Sequence, residues 1–370
     1  MITEHAGRLR RAQAAAATAG VDVLLVSPGP DLAYLSGYHA IALERLTCLV
    51  LPADGAARMV VPALERPAAL ASPVADLDVE VVAWEETDDP YALTASLLPA
   101  GAATMAVDDR MWAVKVLALA AAAPGVRQQA AGSVLRELRM RKSSAEVAAL
   151  RAAAAAIDRV HARMGEWLRP GRTERDVGRD IADAIVAEGH DRTDFVIVAS
   201  GPNGASPHAE LSDKVIGAGE PVVVDIGGTA GGYCSDSTRT YLAGGTAPAE
   251  FDAYYQVLLA AQRAQCEAVR PGITAEEVDA VGRDIIAAAG HGAQFVHRTG
   301  HGIGMETHEE PYIVAGSRLA LEPGMAFSIE PGIYQDGHHG ARIEDIVVVT
   351  EAGAERLNTT SRELTVLGSA

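Results

Sequence analysis

The chain has 370 residues, 49% hydrophobic and 22% charged, so it can bury a sizeable core and is predicted to form two domains. Its formal net charge of −18 argues against nucleic-acid binding, because a phosphate backbone is held by a dense positive surface. The N-terminus lacks the apolar core of a signal peptide, and no apolar run approaches the roughly 20 residues that cross a bilayer. The three widely spaced cysteines follow neither a disulfide nor a zinc pattern, so we expect a cytoplasmic protein with no membrane partner.

Short apolar runs alternate with helical stretches in the first third of the chain. Residues 21–26, 48–51 and 79–83 are predicted strands, and residues 8–17 and 92–98 are predicted helices. This alternation predicts an α/β domain with a partly parallel sheet. No glycine-rich phosphate-binding motif follows these strands, so this segment carries no catalytic signature.

A basic segment followed by a strongly helical one begins near residue 135. Ser143 or Ser144 is the candidate N-cap of that helix, with Glu146 in its first turn. We therefore place a domain boundary here and predict domains at residues 1–134 and 135–370.

An internal repeat occupies the second predicted domain. Each copy begins with Arg-Pro-Gly, continues through a threonine and a helical pattern, and ends in Gly-His, at residues 169–190 and 270–291. Thr274 with Glu277 has the capping-box pattern, and Thr173 with Asp176 is its weaker analogue. A predicted β segment follows each helix, at residues 195–201 in the first copy and 295–302 in the second. Two copies indicate one domain with an internal two-fold axis.

Two hairpin-like units follow, at residues 222–242 and 326–349. In each unit one strand carries a carboxylate, a glycine-rich turn follows, and the returning strand carries another. The repeat-matched carboxylates are Asp225 and Asp236 in the first unit and Glu330 and Glu344 in the second. Two histidines, His208 and His308, also fall at matching offsets.

Clustered carboxylates at the ends of core strands indicate a metal site. Asp225 and Glu330 end apolar runs, where ionised carboxylates would repel each other and lose hydration unless cations compensate them. Four carboxylates balance two divalent cations, and His301, in a glycine-rich loop, completes the set. An aspartate at a strand end is by itself more often a turn former. The repeat-matched set, rather than any single position, indicates the metal.

The motifs VVVDIGG, SDSTRTY, TGHGIGMETHEEP, SIEPGIY and ARIEDIVVV resemble, in order, those of the pita-bread metallopeptidases. That family includes methionine aminopeptidase, aminopeptidase P and prolidase. The likeness spans residues 135–370, and the first third resembles the extra domain of the prolidase and aminopeptidase P branch. The resemblance implies a creatinase/prolidase-type α/β domain followed by a pita-bread α+β domain with pseudo-two-fold symmetry.

The resemblance also implies how the five ligands divide between two divalent ions. Asp225 would bind one ion, Asp236 and Glu344 would bridge both, and His301 and Glu330 would hold the second. Four carboxylates with one imidazole favour Mn²⁺ or Co²⁺, and Fe²⁺ or Zn²⁺ also suits such a set.

Further catalytic and binding roles follow from the same resemblance. His308 would stabilise the tetrahedral intermediate, His208 would bind substrate or leaving group, and Glu330 would shuttle a proton. His297 would line the pocket. Tyr312 follows the His-Glu-Glu-Pro segment, where some prolidases carry an arginine that reads the substrate carboxylate, so Tyr312 is a candidate substrate-binding residue.

Strand alternation suggests partners for the ligands, since residues two apart share a face. Arg342 is expected to point the same way as Glu344, and Thr238 the same way as Asp236, so both are candidates to orient ligands. His338 and His339 lie in a predicted turn and are expected to be exposed.

The leading expectation is an enzyme, an Xaa-Pro dipeptidase that acts on small proline-containing peptides. Aminopeptidase P is the close alternative. Tyr312 brings no charge to a dipeptide carboxylate, and Arg298 is the candidate to supply it. Less favoured are a non-peptidase hydrolase of a small solute, such as an ectoine-hydrolase-like enzyme, and a non-catalytic scaffold, which should lack some ligands. We also expect a homodimer in which the N-terminal domain borders the partner's active site.

Overall fold

The computed structural model describes residues 2–368. The chain separates into two compact units, Met1–Arg139 and Met140–Ala370. The division falls at the end of a helix, Gly132–Met140, a few residues beyond the boundary predicted from the sequence.

The N-terminal unit is built on a mixed sheet. Its helices are α1 (Ile2–Thr18), α2 (Pro30–Ser36), α3 (Arg66–Leu70), α4 (Pro90–Ser96), α5 (Ala113–Ala122) and α6 (Gly132–Met140). Its strands are β1 (Val23–Val26), β2 (Cys48–Pro52), β3 (Ala57–Pro62), β4 (Val79–Trp84), β5 (Thr104–Val107) and β6 (Arg127–Ala130). The strand order is β4-β3-β2-β1-β5-β6, with β1 parallel to β5 and antiparallel to β2. The predicted α/β unit with a partly parallel sheet is confirmed.

The C-terminal unit has helices α7 (Ser144–Ala162), α8 (Glu174–Ala187), α9 (Ala249–Ala268) and α10 (Ala275–Ala288). The strands of its first half are β7 (Arg192–Ser200), β8 (Glu220–Ala230), β9 (Tyr233–Cys234) and β10 (Ser237–Ala243). Those of its second half are β11 (Gly300–Gly302), β12 (Glu309–Ile313), β13 (Ala326–Ile329), β14 (Gly332–Gln335), β15 (His339–Arg342), β16 (Asp345–Thr350), β17 (Gly353–Arg356) and β18 (Thr365–Leu367).

Two sheets follow the two halves of the repeat, except that the C-terminal strand β18 joins the sheet of the first half. One has the order β18-β10-β8-β7, the other has the order β12-β11-β13-β16-β17, and β14 pairs with β15. One buried cluster joins α7 and α8 to the first sheet, and another joins α10 to the second. Helix α7 also packs on the second sheet through Leu150 and Ala154, so it contributes to the core of both halves.

The predicted helix starts are confirmed by their side-chain caps. Ser143, not Ser144, caps α7, and its hydroxyl and the Glu146 carboxylate accept each other's backbone N–H groups. Thr274 and Glu277 form the same reciprocal box at α10. At α8, Thr173 accepts a hydrogen bond from the backbone N–H of Asp176. Such caps satisfy N–H groups that have no partner within the helix.

Two strands differ from their predictions. Asp225 was expected at a strand end, but β8 continues to Ala230 and places Asp225 in its middle. Gly227 permits this because a Cβ there would lie 2.4 Å from the carbonyl oxygen of Ser235, closer than side chains tolerate. In the second half, the strand predicted at residues 295–302 is confined to β11, and the preceding residues form a loop.

Candidate metal centre

Five side chains converge where the two halves of the C-terminal unit meet. They are Asp225 within β8, Asp236 just before β10, His301 within β11, Glu330 just after β13 and Glu344 just before β16. Strand register brings Glu330 and Glu344 together. Ile329 lies opposite Asp345 in the antiparallel pair β13–β16, so the residues that flank this position, Glu330 and Glu344, face each other.

The ligand atoms form overlapping groups of three. Atoms of Asp225, Asp236 and Glu344 lie within 4.8 Å of one another, and so do atoms of His301, Glu330 and Glu344. His301 Nε2 lies 3.2 Å from Glu330 Oε1 and 3.6 Å from Asp236 Oδ2. Because Glu344 belongs to both groups, the arrangement can hold two neighbouring cations that share a ligand.

The pKa values of the carboxylates reflect how closely these groups are packed. Burial, with the nearby negative charges of Glu344 and Asp225, raises the pKa of Asp236 well above its usual range. Burial and the charges of Glu330 and Asp225 likewise raise the pKa of Glu344. Burial opposes ionisation of Glu330 too, but its hydrogen bond to His301 and the nearby positive groups lower the pKa to about 2.

The donor set fits divalent cations. Within the described residues, the buried oxygens Asp225 Oδ1 and Glu344 Oε1 have no hydrogen-bond partner. A buried carboxylate oxygen without a partner is costly, and a cation supplies the missing interaction. The ligand atoms are carboxylate oxygens and one imidazole, with no thiolate, which suits hard to intermediate metals.

The other oxygen of each of these two carboxylates is fixed by a neighbouring side chain. Thr238 Oγ1 donates to Glu344 Oε2 at 2.7 Å, and Arg342 Nη2 donates to Asp225 Oδ2 at 2.6 Å. Arg342 Nε also donates to Thr238 Oγ1 at 3.1 Å. Strand alternation had grouped Arg342 with Glu344 and Thr238 with Asp236. The structure instead joins each to a carboxylate of the opposite hairpin, because the two hairpins face each other.

Ser328 connects the two ligands of the second half. Its hydroxyl accepts a hydrogen bond from the backbone N–H of His301 at 3.0 Å and donates to Glu330 Oε1 at 3.0 Å. Ser328 was not among the residues predicted from the sequence. Its place two residues before Glu330, on the same strand face, was the available signal.

A cavity of about 600 Å³ opens onto the ligands. Besides the ligands, its polar lining residues are His208, His297, Arg298, Thr307, His308 and Arg342. Partial burial of the His308 imidazole lowers the pKa of His308 to about 4, and its ring centroid lies 3.9 Å from that of His301. Tyr312 is not among these lining residues; the Arg298 guanidinium lies over its ring, 4.3 Å from the centroid.

Tyr334 links the cavity wall to a ligand. Its hydroxyl accepts a hydrogen bond from Arg342 Nη1 at 2.8 Å and lies 2.8 Å from His297 Nε2. His297 Nδ1 lies 2.7 Å from the carbonyl oxygen of Arg298. Burial lowers the pKa of His297 and raises that of Tyr334 to about 12. Tyr334 was not among the site residues predicted from the sequence, although it lies within the SIEPGIY motif.

Helix α10 fixes the loop that carries His297 and Arg298. Arg283 pairs with Asp279 through bonds of 2.8 and 2.9 Å and donates to the His297 carbonyl oxygen at 2.9 Å. Asp279 Oδ1 accepts a hydrogen bond from the backbone N–H of Thr299 at 3.2 Å. This part of the cavity wall is therefore held by a buried carboxylate rather than by a strand.

The fold and the convergent ligand set define a metallopeptidase with the pita-bread architecture. Residues 148–351 match the model of metallopeptidase family M24, and residues 8–141 match the creatinase/prolidase N-terminal domain. The chain belongs to metallopeptidase family M24 and is an enzyme of the divalent-metal-dependent type. In the part of the chain that the structure describes, no helix combines the length and hydrophobicity needed to span a membrane.

Individual relatives match over nearly the whole chain. A probable dipeptidase PepE of Mycobacterium tuberculosis is 56% identical over 364 residues, covering 98% of this chain and 96% of the relative. The crystal structure of dipeptidase PepE from Mycobacterium ulcerans is 55% identical, with a TM-score of 0.95 and 99% of each chain covered. An Xaa-Pro dipeptidase of Lactobacillus helveticus is 35% identical over 357 residues, covering 94% of this chain and 95% of the relative.

Proposed function

We propose that this enzyme hydrolyses the peptide bond before proline in Xaa-Pro dipeptides. The similarity to dipeptidases supports the general activity, including one relative named an Xaa-Pro dipeptidase. The observation that carries the preference for dipeptides is Arg298, a cationic side chain that lines the cavity and has no carboxylate partner within the described residues.

Two divalent ions, Mn²⁺ or Co²⁺ in our proposal, would occupy the overlapping ligand groups. Asp225, Asp236 and Glu344 would hold one ion, and His301 and Glu330, together with Glu344 and Asp236 as bridging ligands, would hold the other. When bound, such ions supply Lewis-acid activation of water and of the scissile carbonyl at neutral pH. Fe²⁺ and Zn²⁺ are also compatible with this set.

Residues of the chain perform the remaining steps. His308 lines the cavity beside His301 and would donate a hydrogen bond to the oxyanion that develops on the scissile carbonyl. His208, exposed at the cavity, would bind the substrate or its leaving group. Glu330, held by Ser328, would carry a proton to the leaving nitrogen. His297 would form part of the pocket wall.

Arg298 is better placed than Arg342 to bind a substrate carboxylate. Arg342 is fully engaged, because it donates to Asp225, Thr238 and Tyr334 and to the Pro207 carbonyl oxygen. The half-buried Arg298 instead rests on the ring of Tyr312, which leaves the edge of its guanidinium available. A dipeptide carries its free carboxylate just beyond the scissile bond, and a bidentate arginine is the natural reader of that group.

The test compares kcat/KM for an Xaa-Pro dipeptide, its C-terminal amide and an Xaa-Pro tripeptide. We expect amidation to lower kcat/KM by about 10- to 100-fold, the usual scale for losing a hydrogen-bonded charge pair. Arg298→Gln should lower kcat/KM for the dipeptide by a similar factor, mainly through KM, and should leave the amide nearly unchanged. The matched control is Arg318→Gln, because the Arg318 side chain is 89% exposed and lies outside the cavity.

Each alternative predicts a different result. Amidation without effect, together with faster cleavage of the tripeptide, would overturn the dipeptidase proposal in favour of aminopeptidase P. A hydrolase of a small solute or a non-catalytic scaffold would cleave none of the three peptides after loading with metal.

We further propose that the protein is a homodimer in which the N-terminal domain borders the partner's active site. Ile41 and Leu117 in that unit are 74% and 70% exposed, and exposed apolar clusters mark interfaces. Lys115 Nζ donates to the carbonyl oxygens of Leu43 and Arg45, which ties the segment around Ile41 to α5 beside Leu117. Light scattering should give twice the chain mass at assay concentration. A fully active monomer would contradict the proposal.

A further inference from the structure

A second cavity, of about 470 Å³, lies in the C-terminal unit between the end of α9 and the β16–β17 hairpin. Four arginines line it: Arg263 in α9, Arg270 just after it, Arg356 in β17 and Arg362 in the C-terminal segment. Glu267 is the acidic residue of the lining. This is a local reversal of charge in a chain whose formal net charge is −18. None of these residues lines the catalytic cavity.

The buried acid beside these arginines is already shared. Asp345 accepts hydrogen bonds from Arg239 at 2.6 Å, from Arg356 at 3.2 Å and from Gln262 at 3.0 Å. Its single negative charge therefore serves two guanidinium groups. Positive charge remains in excess at this wall of the cavity.

Arg362 carries much of that excess. Within the described residues no carboxylate pairs with Arg362, and its Nη1 donates to Gln262 Oε1 at 2.7 Å. Arg263, in contrast, pairs with Glu363. Burial and the nearby positive charges of Arg356 and Arg263 lower the pKa of Arg362, although a guanidinium stays protonated in proteins.

Arg356 and Arg362 also retain donors for a ligand. Both side chains are half-buried. Arg356 donates through Nη1 to Asp345, and Arg362 donates through Nη1 to Gln262, whereas Nε and Nη2 of both arginines have no acceptor within the described residues. Two guanidinium groups with N–H groups to spare, facing one cavity, match the oxygen atoms of a tetrahedral anion.

We propose that this cavity binds a phosphate-type oxyanion, with Arg356 and Arg362 as the principal ligands and Arg263 and Arg270 at the rim. The volume exceeds that of inorganic phosphate, so a phosphomonoester of a small metabolite also fits. The bound anion would balance the positive charge of the arginines that Asp345 alone does not neutralise. The inference is independent of the proposed peptidase function.

The test is calorimetric titration of the metal-loaded protein with inorganic phosphate and, separately, with AMP, at constant ionic strength. We expect saturable binding that Arg362→Gln weakens by about 10-fold or more, since a hydrogen-bonded charge is lost. Arg318→Gln should leave the affinity unchanged, and Arg362→Gln should leave dipeptide hydrolysis unchanged. Tighter binding of AMP than of phosphate would identify a phosphomonoester as the better ligand, and equal binding would identify the inorganic anion.

Two results would overturn the proposal. One is no saturable binding of either probe at millimolar concentration. The other is binding that Arg362→Gln does not affect, which would place the anion outside this cavity. Should Arg362→Gln unfold, Arg362→Lys keeps the charge but loses the bidentate geometry, and it should still weaken binding.

Discussion

Replacement of Glu344 by alanine is expected to empty the metal centre and abolish hydrolysis. Glu344 belongs to both ligand groups, and its Oε1 has no other partner within the described residues, so its removal takes a ligand from each ion. Partners that only orient a metal ligand typically contribute roughly 10- to 100-fold, so loss of a shared ligand should lower kcat/KM by more than about 100-fold. Elemental analysis after gel filtration should find less than one ion per chain, against two in the unaltered protein.

The control for this experiment is Glu355→Ala. Glu355 lies in β17 of the same sheet but binds Arg151 outside the cavity, so metal content and activity should be retained. Chelator treatment followed by Mn²⁺ or Co²⁺ should restore the unaltered enzyme and not Glu344→Ala. Full activity in protein shown by elemental analysis to be metal-free would exclude the proposed mechanism.

Substitution of His308 by alanine is expected to preserve the metal and lower kcat by about 10²–10³-fold, the usual scale for one oxyanion donor. Ligand atoms of Asp236, His301 and His308 also lie within 4.8 Å of one another. His308 could therefore replace Glu330 or Glu344 in an alternative ligand set. The combination of retained metal and a lowered rate assigns His308 to the substrate rather than to an ion.

The control for this experiment is His338→Ala, because His338 is an exposed histidine outside the cavity. It should match the unaltered enzyme in metal content and rate. If His308→Ala instead lost an ion in elemental analysis, the roles assigned to His301 and His308 would be wrong.

The sequence predicted the features that depend on local pattern. The cap at Ser143 could be predicted because capping boxes are read over four consecutive residues. The candidate metal ligands could be proposed from the sequence because the repeat placed a carboxylate on or next to each of four strands, and ionised carboxylates crowded in a core need cations to compensate their charge. The structure brings these carboxylates together with His301.

Features that depend on how distant strands face each other could not be predicted in this way. Strand alternation predicted the side of the strand on which Arg342 lies. It could not predict that Arg342 binds Asp225, because Asp225 belongs to the opposite hairpin. The direction of Arg298 depends on a loop held by α10, which no local pattern encodes. His339 was expected to be exposed in a turn, but β15 buries it and its Nδ1 lies 2.9 Å from the Tyr254 hydroxyl. That prediction was wrong because β15 begins at His339, which pairs with Gln335, so the turn ends at His338.

The hydrogen-bond chain from Asp225 to the Arg298 carbonyl has a fixed polarity. A guanidinium can only donate, so the Tyr334 hydroxyl accepts from Arg342 and turns its own proton toward His297 Nε2. Nδ1 of His297 then carries the remaining proton and donates it to the backbone. Both nitrogens of this imidazole are committed, so it has neither a proton to give nor a lone pair to offer a peptide. Of the cavity's three histidines outside the ligand set, only His208 and His308 remain free for acid–base chemistry.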